Sequence, residues 1–131
     1  MAEGTILFEK YIDAETLFKS IKEIALQFGI TEMGFGKGSL VSTGEYFETQ
    51  MQKEEPLLPK EYGEIITAVL EILFMSEEYF NNDPEPIIYE GKLYKTNIIL
   101  VSSRATFLWV SFYNCLWKNT PTVCSVMKPY H

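Results

Sequence analysis

Residues 59–80 read PKEYGEIITAVLEILFMSEEYF, and the assignment of this stretch decides the fold. Pro59 stands where the first turn of a helix tolerates proline, since an N–H there would lack an intrahelical acceptor in any case. Tyr62, Ile65, Ile66, Val69, Leu73 and Phe80 follow as one apolar stripe at helical spacing. Glu61, Glu64, Glu71 and Glu78, separated by steps of three and seven, fall on the opposite side, so the spacing predicts a long helix bearing an acidic ridge. Only Lys60 stands nearby as a counter-charge, too little to absorb the ridge into i,i+4 pairs. The helix is expected to end by NNDPEP (81–86), because Pro84 and Pro86 cannot continue it.

Outward from this stretch, residues 13–28 (DAETLFKSIKEIALQF) predict a first long helix. Asp13 can cap it, Ala14, Leu17, Phe18, Ile21, Ile24, Ala25 and Phe28 fall at helical spacing, and Gly29 follows as the terminating residue. TILFEKY (5–11) has the β-branched and aromatic content of a strand. PIIYEGKLYKT (86–96) reads as two strands about a tight Glu90-Gly91 turn. NIILVSS, TFLWVSF and TVCSVM supply three further strand candidates. Ser103–Lys118 also fits a buried helix capped by Ser103, but its aromatic and β-branched enrichment favours strand. The expected fold is therefore α+β: a single domain over residues 1–131 with two long helices packed on a mainly antiparallel sheet. At 47% hydrophobic residues the chain has enough apolar material for one packed core. No linker divides it.

EMGFGKGSL (32–40) is the stretch that most resembles a ligand motif. A phosphate-binding loop of the Walker type needs a glycine, four residues, then Gly-Lys and a hydroxyl. Here Gly36-Lys37 is followed by Gly38, and Thr31 stands five positions before Gly36. The dinucleotide pattern fails as well, because Gly34, Gly36 and Gly38 alternate and no helix follows directly. Alternate glycines in a strand strip side chains from one face, so a bulge or a close approach of neighbouring groups is expected.

Other chemistry finds little support. The single histidine, His131, is the last residue, which disfavours triads, Cys-His dyads and histidine metal centres. Residues 81, 83 and 85 open like a calcium loop, but Pro86 and Lys92 occupy the places of the turn glycine and the bidentate glutamate. Neighbouring carboxylates such as Glu54 with Glu55 and Glu77 with Glu78 diverge rather than converge on one bond. No catalytic residue, cofactor or metal is assigned. Cys115 and Cys124 read as reduced thiols. The N-terminus carries acids where a targeting segment would carry bases, and no apolar run approaches a membrane span, so a cytoplasmic location without membrane contact is expected.

The net charge of -7 is unevenly distributed. Residues 45–90 hold twelve acids against two bases, whereas residues 91–131 hold five bases and no acid. An acidic surface with tyrosines beside it suits contact with a basic protein, because charge steers the encounter and tyrosine supplies rigid contact area with a polar tip. The expected function is non-enzymatic: a small acidic inhibitor of the immunity or antitoxin type that covers a basic partner such as a toxin nuclease. Glu61, Glu64, Glu71, Glu78, Tyr46 and Tyr79 are its expected contact residues. Two alternatives stand beside it. One is a small-molecule pocket or enzyme site between sheet and helices, with Lys37, Arg104 and Tyr113 as polar contributors. The other is single-stranded nucleic-acid binding by the last third, where Lys92, Lys95, Arg104, Lys118 and Lys128 accompany Trp109 and Trp117; the overall acidity argues against it.

Overall fold

The computed structural model describes residues 2–40, 44–56, 61, 63–102, 107–119 and 122–129, without the side chains of 2, 40, 107–109, 117–119 and 122–129. Strands β1 (Ala2–Phe8), β2 (Gly36–Leu40), β3 (Gly44–Pro56), β4 (Ile65–Met75), β5 (Ile87–Tyr89), β6 (Lys92–Ser102) and β7 (Thr122–Pro129) are joined by helices α1 (Ala14–Leu26) after β1, α2 (Glu77–Asn81) after β4 and α3 (Phe107–Asn119) after β6. Six strands form an antiparallel sheet in the order β2-β3-β4-β6-β1-β7, and β5 pairs with the start of β6. Antiparallel pairing on both sides of β1 makes β6 and β7 run parallel to one another. Such a pair needs a crossover, and α3 supplies it.

The expectation of two long helices on a sheet is overturned at the stretch from which it was built. Ile65–Met75 is the inner strand β4, paired with β3 from Tyr46↔Met75 to Pro56↔Ile65 and with β6 from Leu70↔Ser102 to Phe74↔Ile98. Among the described residues, the α-helix at this end of the stretch is the five residues of α2, after the cap Ser76. The proposed stripe is split by the alternation of β4, which puts Ile65, Val69 and Leu73 on one face and Ile66 on the other, and it is unevenly covered, with Ile65 71% exposed while Leu73 is buried. Pro59, Lys60 and Tyr62 lie outside the described residues. The misreading has a physical origin. Both faces of β4 are covered at its end, so Ile72–Met75 are all buried and the alternation that marks a strand is lost. A nearly continuous apolar run fits any periodicity.

The opposite error occurs at 103–118, where the expected strand is α3. Phe112, Tyr113 and Leu116 are buried while Val110, Ser111 and Asn114 are exposed, a helical alternation. The aromatic enrichment that suggested a strand serves a helix packed on α1 and the sheet, where Phe112 meets Phe28 at 5.8 Å between ring centroids. Residues 103–106 lie outside the described part.

The first helix forms as expected. Asp13 accepts from the Thr16 backbone N–H at 3.1 Å and from the Thr16 hydroxyl at 2.8 Å. Gly29, at φ 76°, closes the other end, with Gly29 N–H donating to Leu26 and Ile30 N–H to Ala25. Leu17, Ile21 and Ile24 of α1 join Ile6, Met51, Leu70, Ile72, Ile98 and Leu100 of the sheet in one core. Each such side chain contributes about 1.5–3 kcal/mol when fully buried. The Glu90-Gly91 turn is also present, with Tyr89↔Lys92 and Ile88↔Leu93 paired across it.

One irregularity sets the geometry of the sheet's end. The β1–β6 register shifts between Ile6 and Leu7, leaving Asn97 without a partner on β1. Asn97 is fully buried, and its amide accepts from Ile12 N–H and donates to Ile12 C=O, both at 3.0 Å. Asp83 takes the neighbouring Thr96 N–H at 2.7 Å and the Glu85 N–H at 3.0 Å. It anchors the segment after α2 to β6. Replacing Asn97 with alanine should cost about 2–3 kcal/mol, because two backbone groups of Ile12 lose their partners. Urea unfolding of Asn97→Ala measures this directly, and a loss below about 0.5 kcal/mol would show that water replaces the amide without penalty.

Candidate functional site

The two faces of the sheet carry different chemistry. On β3, Phe47, Thr49, Met51 and Lys53 look toward the helices, and Tyr46, Glu48, Gln50, Gln52 and Glu54 look away from them. On β4 the outward set includes Thr67, Val69 and Glu71, with Gln50 directly opposite Glu71. Glu48, Glu54 and Glu71 take part in no ion pair among the described residues. Five of the described lysines are engaged elsewhere. Lys22, Lys37, Lys53 and Lys95 lie over the rings of Phe18, Phe47, Phe28 and Phe80 at 5.5–5.9 Å. Lys92 pairs with Glu9 at 3.8 Å.

The alternate glycines acquire a reason at one position. Gly38 stands opposite Tyr46, whose ring lies so close that a Cβ on Gly38 would come within 2.5 Å of it. The bare backbone lets the Tyr46 ring lie on the sheet. Lys37 belongs to the other face, and the shallow recess beside Gly34 and Gly36 is bordered by Glu48 and Glu71. Carboxylates beside the strip make it unfavourable for phosphate.

An acidic and aromatic corner forms where β4 gives way to α2. One cleft of about 360 Å³ lies between the start of α1, the β2–β3 edge and Ser76, and includes Tyr11, Tyr46 and Phe47. Asp13, Glu15, Glu45 and Glu77 supply its carboxylates. A neighbouring recess shares Glu45 and Ser76 and adds Glu78 and Tyr79. Tyr11 donates its hydroxyl to Met75 C=O at 3.0 Å, which fixes its ring at the cleft wall. The negative field registers on the phenols. Burial first, and then Asp13 and Glu77, raise the Tyr11 pKa above the ordinary tyrosine value. Tyr46 is raised by desolvation, Glu48 and Glu71, and Tyr79 by desolvation, Asp83, Glu85 and Glu3.

The six residues expected to meet a partner are thus divided. Tyr46 and Glu71 share the outward sheet face, and Glu78 and Tyr79 stand on α2 at the same end of the sheet. Glu61 and Glu64 are exposed beyond the other end of β4, a strand about 33 Å long at the usual rise, and Glu64 lies about 23 Å from Glu71. The helical ridge that joined the four glutamates does not exist. Tyr11, Asp13, Glu45, Glu48 and Glu77 were missed, because they come from separate elements that only the fold brings together.

The other two expectations fare unevenly. Tyr113 is buried with its hydroxyl 3.5 Å from Thr5 C=O, and Lys37 lies on the edge strand, so these two do not meet in one pocket. Arg104, Tyr130, His131 and the side chains of Trp109, Trp117, Lys118, Cys124 and Lys128 lie outside the described residues. Tyr94 and Tyr113, the described tyrosines of the last third, are buried and offer bases no stacking face. Among the described residues, no group of three or more His, Cys, Asp or Glu is placed to hold a metal ion, and no helix is long and apolar enough to cross a membrane. The chain matches no protein-family model, no curated protein and no solved structure.

The raised phenol values carry a sign that can be tested. A phenol held protonated by the fold stabilises it fully below the unfolded value of about 10, and this contribution is lost as pH rises through the higher folded value. Ultraviolet titration near 295 nm, compared with Tyr46→Phe, isolates the Tyr46 transition. The double substitution Glu48→Gln and Glu71→Gln should move that transition down in pH, and an unchanged transition would leave desolvation as the whole cause.

Proposed function

We propose that the chain is a non-enzymatic protein-binding protein, a small acidic inhibitor of the immunity or antitoxin type that acts in the cytoplasm by covering a basic partner such as a toxin nuclease. The supporting observation is the placement of Tyr46 among Glu48 and Glu71 on an outward sheet face that runs into the Glu45, Glu77, Glu78 and Tyr79 corner. Carboxylates arranged on one side of a rigid sheet create a field that speeds approach of a positive surface and sets its orientation. The two tyrosines offer area that can be desolvated with little loss of rotamer freedom. With most described lysines lying over phenylalanines or paired with glutamates, this side faces a partner with little internal neutralisation.

Affinity capture from the source cells, followed by binding kinetics on the captured protein, tests the reading. The partner should be basic, and association should slow as salt rises because screening shortens the reach of surface charge. Replacing Glu45, Glu48, Glu71 and Glu78 together with glutamine should slow association about tenfold and leave the melting temperature unchanged or higher. Replacing Glu61 and Glu64 with glutamine should change association less than twofold, given their distance from the corner. Unchanged affinity and salt dependence in the fourfold variant would reduce the acidic face to a solvated surface. A copurifying metabolite with no protein partner would favour a small-molecule site.

A further inference from the structure

The cleft beside Ser76 combines aromatic walls with an excess of carboxylate. Its rings are Tyr11, held by its bond to Met75, and Phe47, stacked at 5.2 Å and 6° on Phe35; Tyr46 borders it from the neighbouring position on β3, with its own ring on the other face over Gly38. Around them stand Asp13, Glu15, Glu45 and Glu77, against the single ammonium of Lys37. The position of that ammonium is informative. It lies 5.7 Å from the centre of the Phe47 ring and 4.0 Å from Glu45, so this wall already accepts a cation, supplied by the chain's own edge strand. The contact is loose and exposed, since the Lys37 and Glu45 side chains are 65% and 78% accessible. A pair of this kind contributes little to stability and is readily exchanged.

We propose that this cleft receives an arginine side chain of the basic partner, with the guanidinium taking the place of the Lys37 ammonium on Phe47 and the carboxylates of Glu45 and Glu77 accepting its N–H groups. The inference rests on the inhibitor reading and gives it a point of specificity. Arginine fits better than lysine because its planar head stacks on a ring and offers five donors in a fork, whereas an ammonium is a strongly hydrated point charge. Cation–π attraction is strongest where the cation is withdrawn from water, and the volume of about 360 Å³ has room for a side-chain head. A phosphate or carboxylate ligand would meet four carboxylates. A neutral ligand would leave the surrounding charge unused. Lys37 then acts as a resident that keeps the edge strand charged until the partner arrives.

Titration of the nitrogen-15-labelled chain with N-acetylarginine amide, and with the citrulline amide as its uncharged counterpart, tests the assignment by NMR. Arginine amide should shift Tyr11, Glu45, Tyr46 and Phe47 in a saturable way, with citrulline amide binding at least tenfold more weakly. Lys37→Ala should tighten arginine binding about threefold by removing the competing ammonium, and E45Q/E77Q should weaken it about tenfold with the amide spectrum otherwise retained. Equal responses to the two amides, or arginine shifts spread over Glu54, Glu61 and Glu64 and insensitive to E45Q/E77Q, would overturn the proposal. The two readings can fail separately. A captured basic partner indifferent to E45Q/E77Q overturns the cleft and leaves the inhibitor reading standing. Arginine selectivity without any basic partner supports the cleft as a cation seat and overturns its assignment to an inhibitor.

Discussion

The fully buried amide of Asn97 is the constraint from which the rest of the architecture follows. β1 lies between β6 and β7, and its chain must leave the sheet at Phe8 and rise over one face to begin α1. A strand that stops inside a sheet leaves backbone groups in need of partners. The register shift places Asn97 where its side chain can stand in for a strand and pair with both groups of Ile12. That clamp fixes the corner at residues 9–13. Tyr11 is then brought to Met75 and Asp13 to the first turn of α1, so the walls of the acidic cleft depend on an interaction that no substrate or partner would touch.

The same corner explains why only part of the sheet is open. Asp83 ties the segment after α2 to Thr96, and this segment covers β1 and β6 on the side away from α1 and α3, around a cavity of about 290 Å³. Thr5, Leu7 and Leu73 are buried there although they point away from the main core. Over β3 and the first part of β4 no such cover exists among the described residues, and the side chains there include glutamate, glutamine and threonine. Burial and charge thus divide one sheet into a packed half and a solvated half. A rigid surface with charges fixed on adjacent strands loses less entropy on binding than a mobile loop bearing the same charges.

How legible this was depends on the element. The first helix could be read because its signals are local: Asp13, the apolar spacing and Gly29 each act within a few residues. The Glu90-Gly91 hairpin could be read for the same reason, with Glu90 at φ 50° and Gly91 at φ 78° forming the turn. β4 and α3 were interchanged in character because their class is set by what covers them. A strand buried on both faces loses its alternation, and a helix wedged between sheet and helix gains aromatic residues. The site suffered most from this. Four glutamates placed together on a helical wheel are drawn apart by the extended strand, with Glu61 and Glu64 before β4, Glu71 within it and Glu78 after it on α2, whereas Tyr46 and Tyr79 come to the same end of the sheet because β3 pairs with β4.

The glycine stretch shows how a motif-like pattern can arise from packing. Phe35 turns inward to meet Phe18, Phe47 and Phe74, closing the end of the core next to an edge strand. The following strand must then place Lys37 on the Phe47 side and Gly38 on the Tyr46 side, since alternation leaves no other arrangement. A side chain at 38 would push the tyrosine ring off the sheet and into water, and an apolar residue at 37 would leave a sticky edge. The alternation of glycine, aromatic and lysine therefore answers to an edge that must be solvated on one side and flat on the other. What resembles a phosphate loop is the flat seat of a tyrosine in an acidic surface, the opposite of an anion site in both geometry and sign.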